Sequence, residues 1–399
     1  MDNNEKSFDW AFGLNRLTLK VTGLWPYDSN KSSRPSLATP IITASIFIFL
    51  IVPQMYALVK VRRDLSLVVD NIPVNLCNSM AVVKLIMLWK GRKVLESLIS
   101  EMWIDWQCTT KSDIETRIMQ VQANHCRLIS FIGCASSIVI TIIWLILPLF
   151  HLSVRTLSNI TDPDPMRLLI FQSYYPYDVF DSPMYELTYL QQFIVGSLVP
   201  FILFVAENLF LTLVLHACGQ CQIIEGQFQQ LGNNNCSATS RYFDSRIRQI
   251  VNRHVRLIRF VDNIEILFSY LIITQTVVLS LVIGCFGFTA LMPVDDEFEI
   301  WQMITRTVSP LILLMYVLVD CGGGEYLIFH SSRLLSATYE TNLSSLRKDY
   351  GRDIIVIMMR CQIPLQLTAG NFYILTLNNF LQLVKNIGAY MSMLITVNQ

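Results

Sequence analysis

Apolar residues in this chain do not alternate with polar ones, as they would in half-buried strands. They gather into long runs separated by short polar segments. A bilayer-crossing helix needs roughly 20 consecutive apolar residues. Such runs fall at about 38–60, 67–89, 128–152, 187–216, 262–291, 302–321 and 374–397. The pattern predicts an all-α polytopic membrane protein with seven transmembrane helices. Two longer connecting stretches, about 217–260 and 322–372, keep helical periodicity. In the first, Ile247, Ile250, Val251, His254, Val255, Leu257 and Ile258 return every three or four positions, with Arg246, Arg248, Arg253 and Arg256 between them. This is an amphipathic helix continuing below the membrane. A basic face near anionic lipid accounts for the arginines but not for the apolar stripe. The helices are therefore expected to extend into a cytoplasmic anchor bundle.

Charge orients the spans. The segment from Arg155 to Glu186 carries two basic residues against Asp162, Asp164, Asp178, Asp181 and Glu186, and the turn after Met292 holds Asp295, Asp296, Glu297 and Glu299 with no base. The intervening segments are basic, with six Lys or Arg from Lys90 to Arg127 and six Arg from Cys218 to Arg259. Lys and Arg are retained in the cytoplasm, so the N-terminus is expected inside and the C-terminus outside. Lys60, Arg62 and Arg63 after the first span are the one exception. A G-protein-coupled receptor has the opposite orientation and a cytoplasmic tail, whereas here Gln399 directly follows the last apolar run.

Composition narrows the class further. At 53% apolar and 15% charged, with mean hydropathy +0.45, the chain is not an ordinary soluble domain. Its zero net charge leaves no nucleic-acid footprint. The first 37 residues lack an apolar core, so no cleaved signal peptide is expected. Of four glycosylation sequons, at Asn30, Asn159, Asn235 and Asn342, only Asn159 falls on the outer face. None of the ten cysteines lies in an outer loop, and Cys218 and Cys221 form a CxxC without a second ligand pair, which reads as a small-residue helix end. There is no Ser–His–Asp, HExxH, P-loop or dinucleotide pattern, and Gly322-Gly323-Gly324 lacks the Lys-Ser/Thr of a phosphate loop. No enzyme activity, cofactor or metal is expected. A transporter would show inverted repeats, and none is visible.

Asn15-Arg16-Leu17 leads into Gly23-Leu24-Trp25-Pro26, and Ser182-Pro183-Met184-Tyr185-Glu186 opens the fourth span while His216-Ala217-Cys218-Gly219-Gln220 closes it. These stretches resemble the insect odorant receptors, and the latter two are similar to the pattern of wasp, bee and ant receptors. Ser332 to Tyr339, Arg360, Pro364, Leu365, Thr368-Ala369-Gly370, Phe380 and Tyr390 recur at the family's spacing. Leu343, where the family usually has Trp, and the extra glycine in Asp320-Cys321-Gly322-Gly323-Gly324-Glu325 depart from it. The resemblance implies an odour-gated, non-selective cation channel in the plasma membrane of olfactory neurons. It implies a heterotetramer with a shared co-receptor, each subunit contributing its last helix to a pore and holding an odorant pocket in its outer-leaflet helices. Partners would be the co-receptor, a small apolar odorant and membrane lipid. The implied division is an N-terminal cytoplasmic segment (1–37), helices one to six with the pocket (38–321), a cytoplasmic anchor (322–372) and the pore helix (373–399). An insect gustatory receptor shares the fold, but its usual C-terminal pattern differs from Ala369-Gly370 and Tyr390.

Residue spacing supplies candidate sites. Asn379, Gln382, Asn386, Met393 and Val397 share one stripe of the last helix, polar first and apolar last, with Lys385 one step off it. Such a stripe suits either a wet conduit with a dewetting gate or interhelical amide packing. The resemblance favours the conduit, with Met393 and Val397 at gate positions and Thr396 at a pore-facing position that is Gln in the co-receptor. For the pocket, Ser137, Ile140 and Trp144 share a face of the third span and resemble a lining trio in the family. Phe201 and Tyr316 are candidate partners, and Asn75, Asn78 and Ser79 give the second span a polar face. Lipid contact or helix packing is the competing account of each. Tyr174, Tyr175 and Tyr177 fit a vestibule or an interfacial aromatic belt. Lys84 and Asp320 are expected to snorkel toward a membrane surface, and Glu207 to pair with a neighbouring helix.

Overall fold

The computed structural model describes residues 3–25, 36–107, 112–146, 148, 167–233, 240–291, 300–340 and 348–398; near several segment ends, including 393–398, only the backbone is described. Helix α1 spans Asn3–Thr22. The first span is α2 (Ala38–Ile46), a π-helical turn (Phe47–Ile51) and α3 (Val52–Val61). Then come α4 (Leu65–Lys90), α5 (Arg92–Gln107), α6 (Asp113–Thr141) with a second π-turn (Ile142–Ile146), α7 (Met184–Asn233), α8 (Ser240–Leu291), α9 (Ile300–Glu340) and α10 (Lys348–Cys361). Strands β1 (Thr368–Ala369) and β2 (Tyr373–Ile374) pair antiparallel before α11 (Leu377–Asn398). Six helical runs, from Ala38–Val61 to Met303–Glu340, are long and apolar enough to cross a bilayer among the described residues. α11 occupies the place of the seventh.

Where the hydropathy runs stop, the helices do not. The apolar runs end near 216 and 321 and one begins near 262, but the helical periodicity of the stretches beyond them leads one to expect continued helix. α7 continues to Asn233, α8 begins at Ser240 and α9 continues to Glu340. The same apolar stripe carries each helix out of the apolar zone and keeps packing. Ile223, Ile224 and Phe228 of α7, Ile250 and Leu257 of α8, and Leu334 of α9 are all buried in one core beyond those points. The glycine run has its reason here. A Cβ on Gly324 would lie 2.4 Å from the Leu375 carbonyl oxygen, and one on Gly323 would lie 3.2 Å from Leu211. Bare backbone lets α9 pack against both α7 and the strap leading into α11.

That strap is fastened by hydrogen bonds. The Glu265 carboxylate accepts from the Thr368 main-chain N–H at 2.9 Å and from its hydroxyl, and the Gly370 N–H donates to the Ser269 carbonyl at 3.1 Å. Gly370 and Asn371 both have positive φ, the left-handed conformation that glycine and asparagine tolerate best. At the same end, Asp105 of α5 accepts from Arg256 of α8 and bonds His216 of α7 at 3.1 Å. Burial pushes the Asp105 carboxyl up, but the His216 hydrogen bond and the charges of His216 and Arg256 outweigh it and hold it below the usual carboxylate range.

Lys84 and Asp320 do not snorkel. Both are almost fully buried, at 3% and 1% exposure. Lys84 of α4 donates to Glu207 of α7 and to Gln275 of α8, and the Gln275 amide donates to Asp320 of α9 at 2.9 Å. The apolar surroundings offer a buried charge no water, so it closes on charges from neighbouring helices. One cluster thus joins four helices. Replacing Lys84 by Met should strand Glu207 and cost about 3–5 kcal/mol, the usual penalty for breaking a buried pair. The thermal midpoint of detergent-solubilised protein and its surface yield should both fall, and an unchanged melting curve would remove the cluster from the stability account.

Candidate functional site

Among the described residues, α4, α7 and α9 each carry a proline in the helix interior: Pro73, Pro200 and Pro310. An internal proline deletes one helix hydrogen bond and forces the preceding turn outward. The π-turn Ile142–Ile146 adds a widened turn in the helix beside them. Ser309 next to Pro310, and Pro73, Pro200, Trp144 and Leu145 themselves, line one cavity of about 80 Å³. The cavity lies where four helices depart from regular geometry and cannot close on one another.

Its wall is apolar because its polar groups are already paired. The Trp144 indole N–H donates to the Ser309 hydroxyl at 3.1 Å. The Tyr316 hydroxyl shares a hydrogen bond with Ser136 at 3.3 Å, and the Asn78 amide donates to Gln54 at 2.8 Å. What remains facing the space is largely carbon: Val74, Ile140, Leu203, Phe286 and Leu313 among others. Phe171, from the segment ahead of α7, covers one side. It fits because position 196 is glycine, where a Cβ would stand 2.8 Å from the Phe171 ring. Gln192, fully buried on α7, pins this cover by accepting from the Phe171 N–H at 3.1 Å and donating to Ser173 at 3.2 Å and to Tyr175 at 3.1 Å. A site of this kind takes a small apolar molecule by contact and desolvation. An apolar cavity of about 150 Å³ holds benzene, so at its present volume this one must widen to admit a ligand of that size.

Of the residues singled out by sequence, Asn78, Ile140, Trp144 and Tyr316 line the cavity. Ser137 is buried one turn away, its carbonyl accepting from Thr141, and Phe201 packs against the core beside Pro200; neither is in the wall. The face joining Ser137 to Trp144 assumes a regular helix, and the π-turn rotates everything after Thr141. Asn75 is bonded to Asn71, and Ser79 is half-buried outside the wall. Tyr175 is buried beneath Gln192, while Tyr177 is exposed. Phe171, Gly196, Phe286 and Ser309 line the cavity without having been foreseen. The signal for three of the lining helices was the proline inside each span.

A second feature is the uncovered face of α11. Ile387 is buried, and Phe380 and Leu383 pack against the core formed with α8 and α9. Gln382, Lys385, Asn386, Ala389 and Tyr390 are exposed on the opposite side. Asn379 is turned back, its amide donating to the Ile374 carbonyl at 2.7 Å. The side chains of Met393, Thr396 and Val397 lie outside the described residues, as does Asn159 altogether. Among the described residues no group of His, Cys, Asp and Glu is arranged to hold a metal ion.

Comparison with known proteins gives concordant results. A family model described as "7tm Odorant receptor" matches residues 64–388. Odorant receptor 13a of Drosophila melanogaster is 22% identical over 416 aligned positions, covering 97% of this chain and 96% of that one. Odorant receptor 10 of Aedes albopictus is 20% identical, covering 79% of this chain and 80% of its own length. The fold matches that of the insect olfactory receptor OR5 from Machilis hrabei, solved in complex with eugenol, with a TM-score of 0.83, 16% identity and coverage of 99% and 100%.

Trp144 brings the largest ring system among the residues lining the cavity. For any small volatile that binds the parent protein, Trp144→Ala should raise the dissociation constant about tenfold or more, the usual scale for losing a buried aromatic anchor. A titration giving the same constant, on protein of equal folded fraction, would take the ligand out of this cavity.

Proposed function

The chain belongs to the insect family of seven-transmembrane odorant receptors, and on that premise we propose that it is the odour-tuning subunit of a cation channel assembled with a co-receptor. It is an odorant receptor of the sensory-neuron plasma membrane, not an enzyme. The finer reading is a hymenopteran-like subunit with its N-terminus inside and its C-terminus outside. Asn159 then carries glycan on the outer face, and the anchor region 322–372 lies in the cytoplasm. The odorant occupies the cavity beside Asn78, Ile140, Trp144 and Tyr316. Gln382 and Asn386 line the pore, Thr396 lies further along it, and Met393 and Val397 form the gate.

One observation carries this reading. The last helix buries Ile387 against α8 and α9 and leaves Gln382, Lys385 and Asn386 uncovered. Polar groups within a bilayer are costly unless they face protein or water. A ring of subunits around a wet conduit satisfies them. The exposed apolar residues Ile355, Val356 and Met359 of α10 supply a surface for packing such a ring beneath the membrane.

A route from ligand to pore follows from two adjacent residues of α8. Phe286 lines the cavity, and at Gly287 a Cβ would stand 2.2 Å from the Met391 methyl of α11. A ligand that widens the cavity pushes on Phe286, and the same turn of α8 bears directly on the pore helix. The free energy available for opening is the difference in ligand affinity between the closed and widened cavities.

Expressed without the co-receptor, the chain should give little odour-evoked current, and with it a robust one. Strong currents from the chain alone at equal surface density would overturn the tuning-subunit assignment. Gly287→Ala tests the route. The added methyl should alter the resting current or the maximal response by severalfold while ligand binding to the cavity stays within about twofold, by contrast with the tenfold scale of a lost anchor. Identical currents in parent and variant would place the coupling elsewhere.

A further inference from the structure

Beyond Val74, Trp144 and Phe171, which it shares with the main cavity, lies a second, smaller chamber of about 20 Å³. Its remaining wall is polar: Gln54, Asp70, Asn71 and Gln172. The volume is that of a single water molecule or one ligand oxygen.

The hydrogen bonds in this wall run in one direction. Asn71 Nδ2 donates both to the main-chain carbonyl of Gln172 at 3.3 Å and to its side-chain Oε1 at 2.9 Å. A main-chain carbonyl can only accept, so the Asn71 amide has one orientation and the Gln172 amide follows from it. Oε1 of Gln172 is used, and its Nε2 is left without a partner, on a residue only 6% exposed. Gln54 repeats the arrangement. Its Oε1 accepts from Asn78 at 2.8 Å, and its Nε2 has no partner on a residue 1% exposed. The acid of the chamber is committed, with Asp70 Oδ2 3.1 Å from Arg306 Nη2. Two residues of the chamber wall therefore each carry a spare donor, and its carboxylate is already engaged by a cation. Buried donors left unpaired are costly, and an acceptor that reaches them recovers that cost.

We propose that this chamber is the oxygen-reading end of the odorant pocket. It selects apolar molecules that carry one hydrogen-bond acceptor (a ketone, ester or ether) over hydrocarbons of the same shape. The apolar body fills the main cavity, and the oxygen passes the Val74, Trp144 and Phe171 partition to accept from Gln172, with Gln54 as the second donor. The inference rests on the odorant-receptor reading and narrows its ligand class. It also gives the segment ahead of α7 a task besides covering the cavity, because Phe171 and Gln172 contribute successive parts of the two walls.

The test uses the full chain with its co-receptor and three shape-matched pairs: acetophenone against α-methylstyrene, cyclohexanone against methylenecyclohexane, and anisole against ethylbenzene. In the parent, the oxygen-bearing member should reach half-maximal current at a concentration about tenfold lower, the scale of one recovered buried hydrogen bond. Gln172→Met keeps length and volume but removes the donor. It should weaken the oxygen-bearing member until the gap closes, while the hydrocarbon response, which also reports intact folding, is retained. Gln54→Met should narrow the gap in the same direction. Equal potency within every pair in the parent, or a gap that survives both variants, overturns the proposal and leaves the odorant-gated reading standing. Absence of current from all pairs, with the receptor at the surface, overturns both.

Discussion

The buried contact among Lys84, Glu207, Gln275 and Asp320 is the constraint on which the arrangement of the transmembrane helices depends. In an apolar medium, packing alone orients helices weakly, because lipid tails are as apolar as side chains. Four ionic and amide groups with no water to turn to must meet one another, and they do so in a small number of geometries. The cluster lies close to the cavity. Glu207 is four residues from Leu203, and Asp320 four from Tyr316, both in the cavity wall. The contact that fixes α4, α7, α8 and α9 thus also fixes one end of the space between them.

Above that fixed level the helices are prevented from closing. Pro73, Pro200, Pro310 and the π-turn around Trp144 are local departures from regular helix, each costly alone. Together they produce a cavity where a regular bundle would produce a packed core. Gly196 and Phe171 complete the site by letting the outer segment settle on top. The paired polar groups keep the main chamber apolar, and the amides of Gln54 and Gln172 concentrate polarity at its far end. Phe286 of the cavity wall stands one residue from Gly287, where α8 meets Met391 of the last helix, so the proposed route from ligand to pore needs no long relay.

The strap before α11 shows how the basic end of the molecule supports this. Glu265, Ser269 and Gly324 hold a short hairpin against α8 and α9, and the hairpin sets where α11 begins. A fixed starting point for α11 is what the proposed coupling through the Gly287–Met391 contact requires. The glycine run in α9, unexplained as a sequence motif, is accounted for by this close approach.

The run lengths of apolar residues determined the membrane class and the number of spans, because the thickness of a bilayer sets the length of helix that can cross it. The amphipathic stripe from Ile247 to Ile258 foretold that helices would pack beyond the membrane, and the spacing of Gln382 and Asn386 foretold an uncovered polar face on the last helix. Both are consequences of the helical period and are readable along one chain. Tertiary structure alone decided the rest. Lys84 and Asp320 read as snorkelling residues, because sequence cannot show that charges on separate spans meet. Ser137 and Trp144 read as one face, because a π-turn leaves no clear mark in residue type, yet it rotates everything after it. The prolines were visible, but that three of them would lie at one level depends on helix offsets that no single span encodes. Gln172 and Gln54 became a pair of spare donors only once Asn71 and Asn78 had taken up their oxygens, because hydrogen-bond satisfaction is a property of neighbours in space and not of neighbours in sequence.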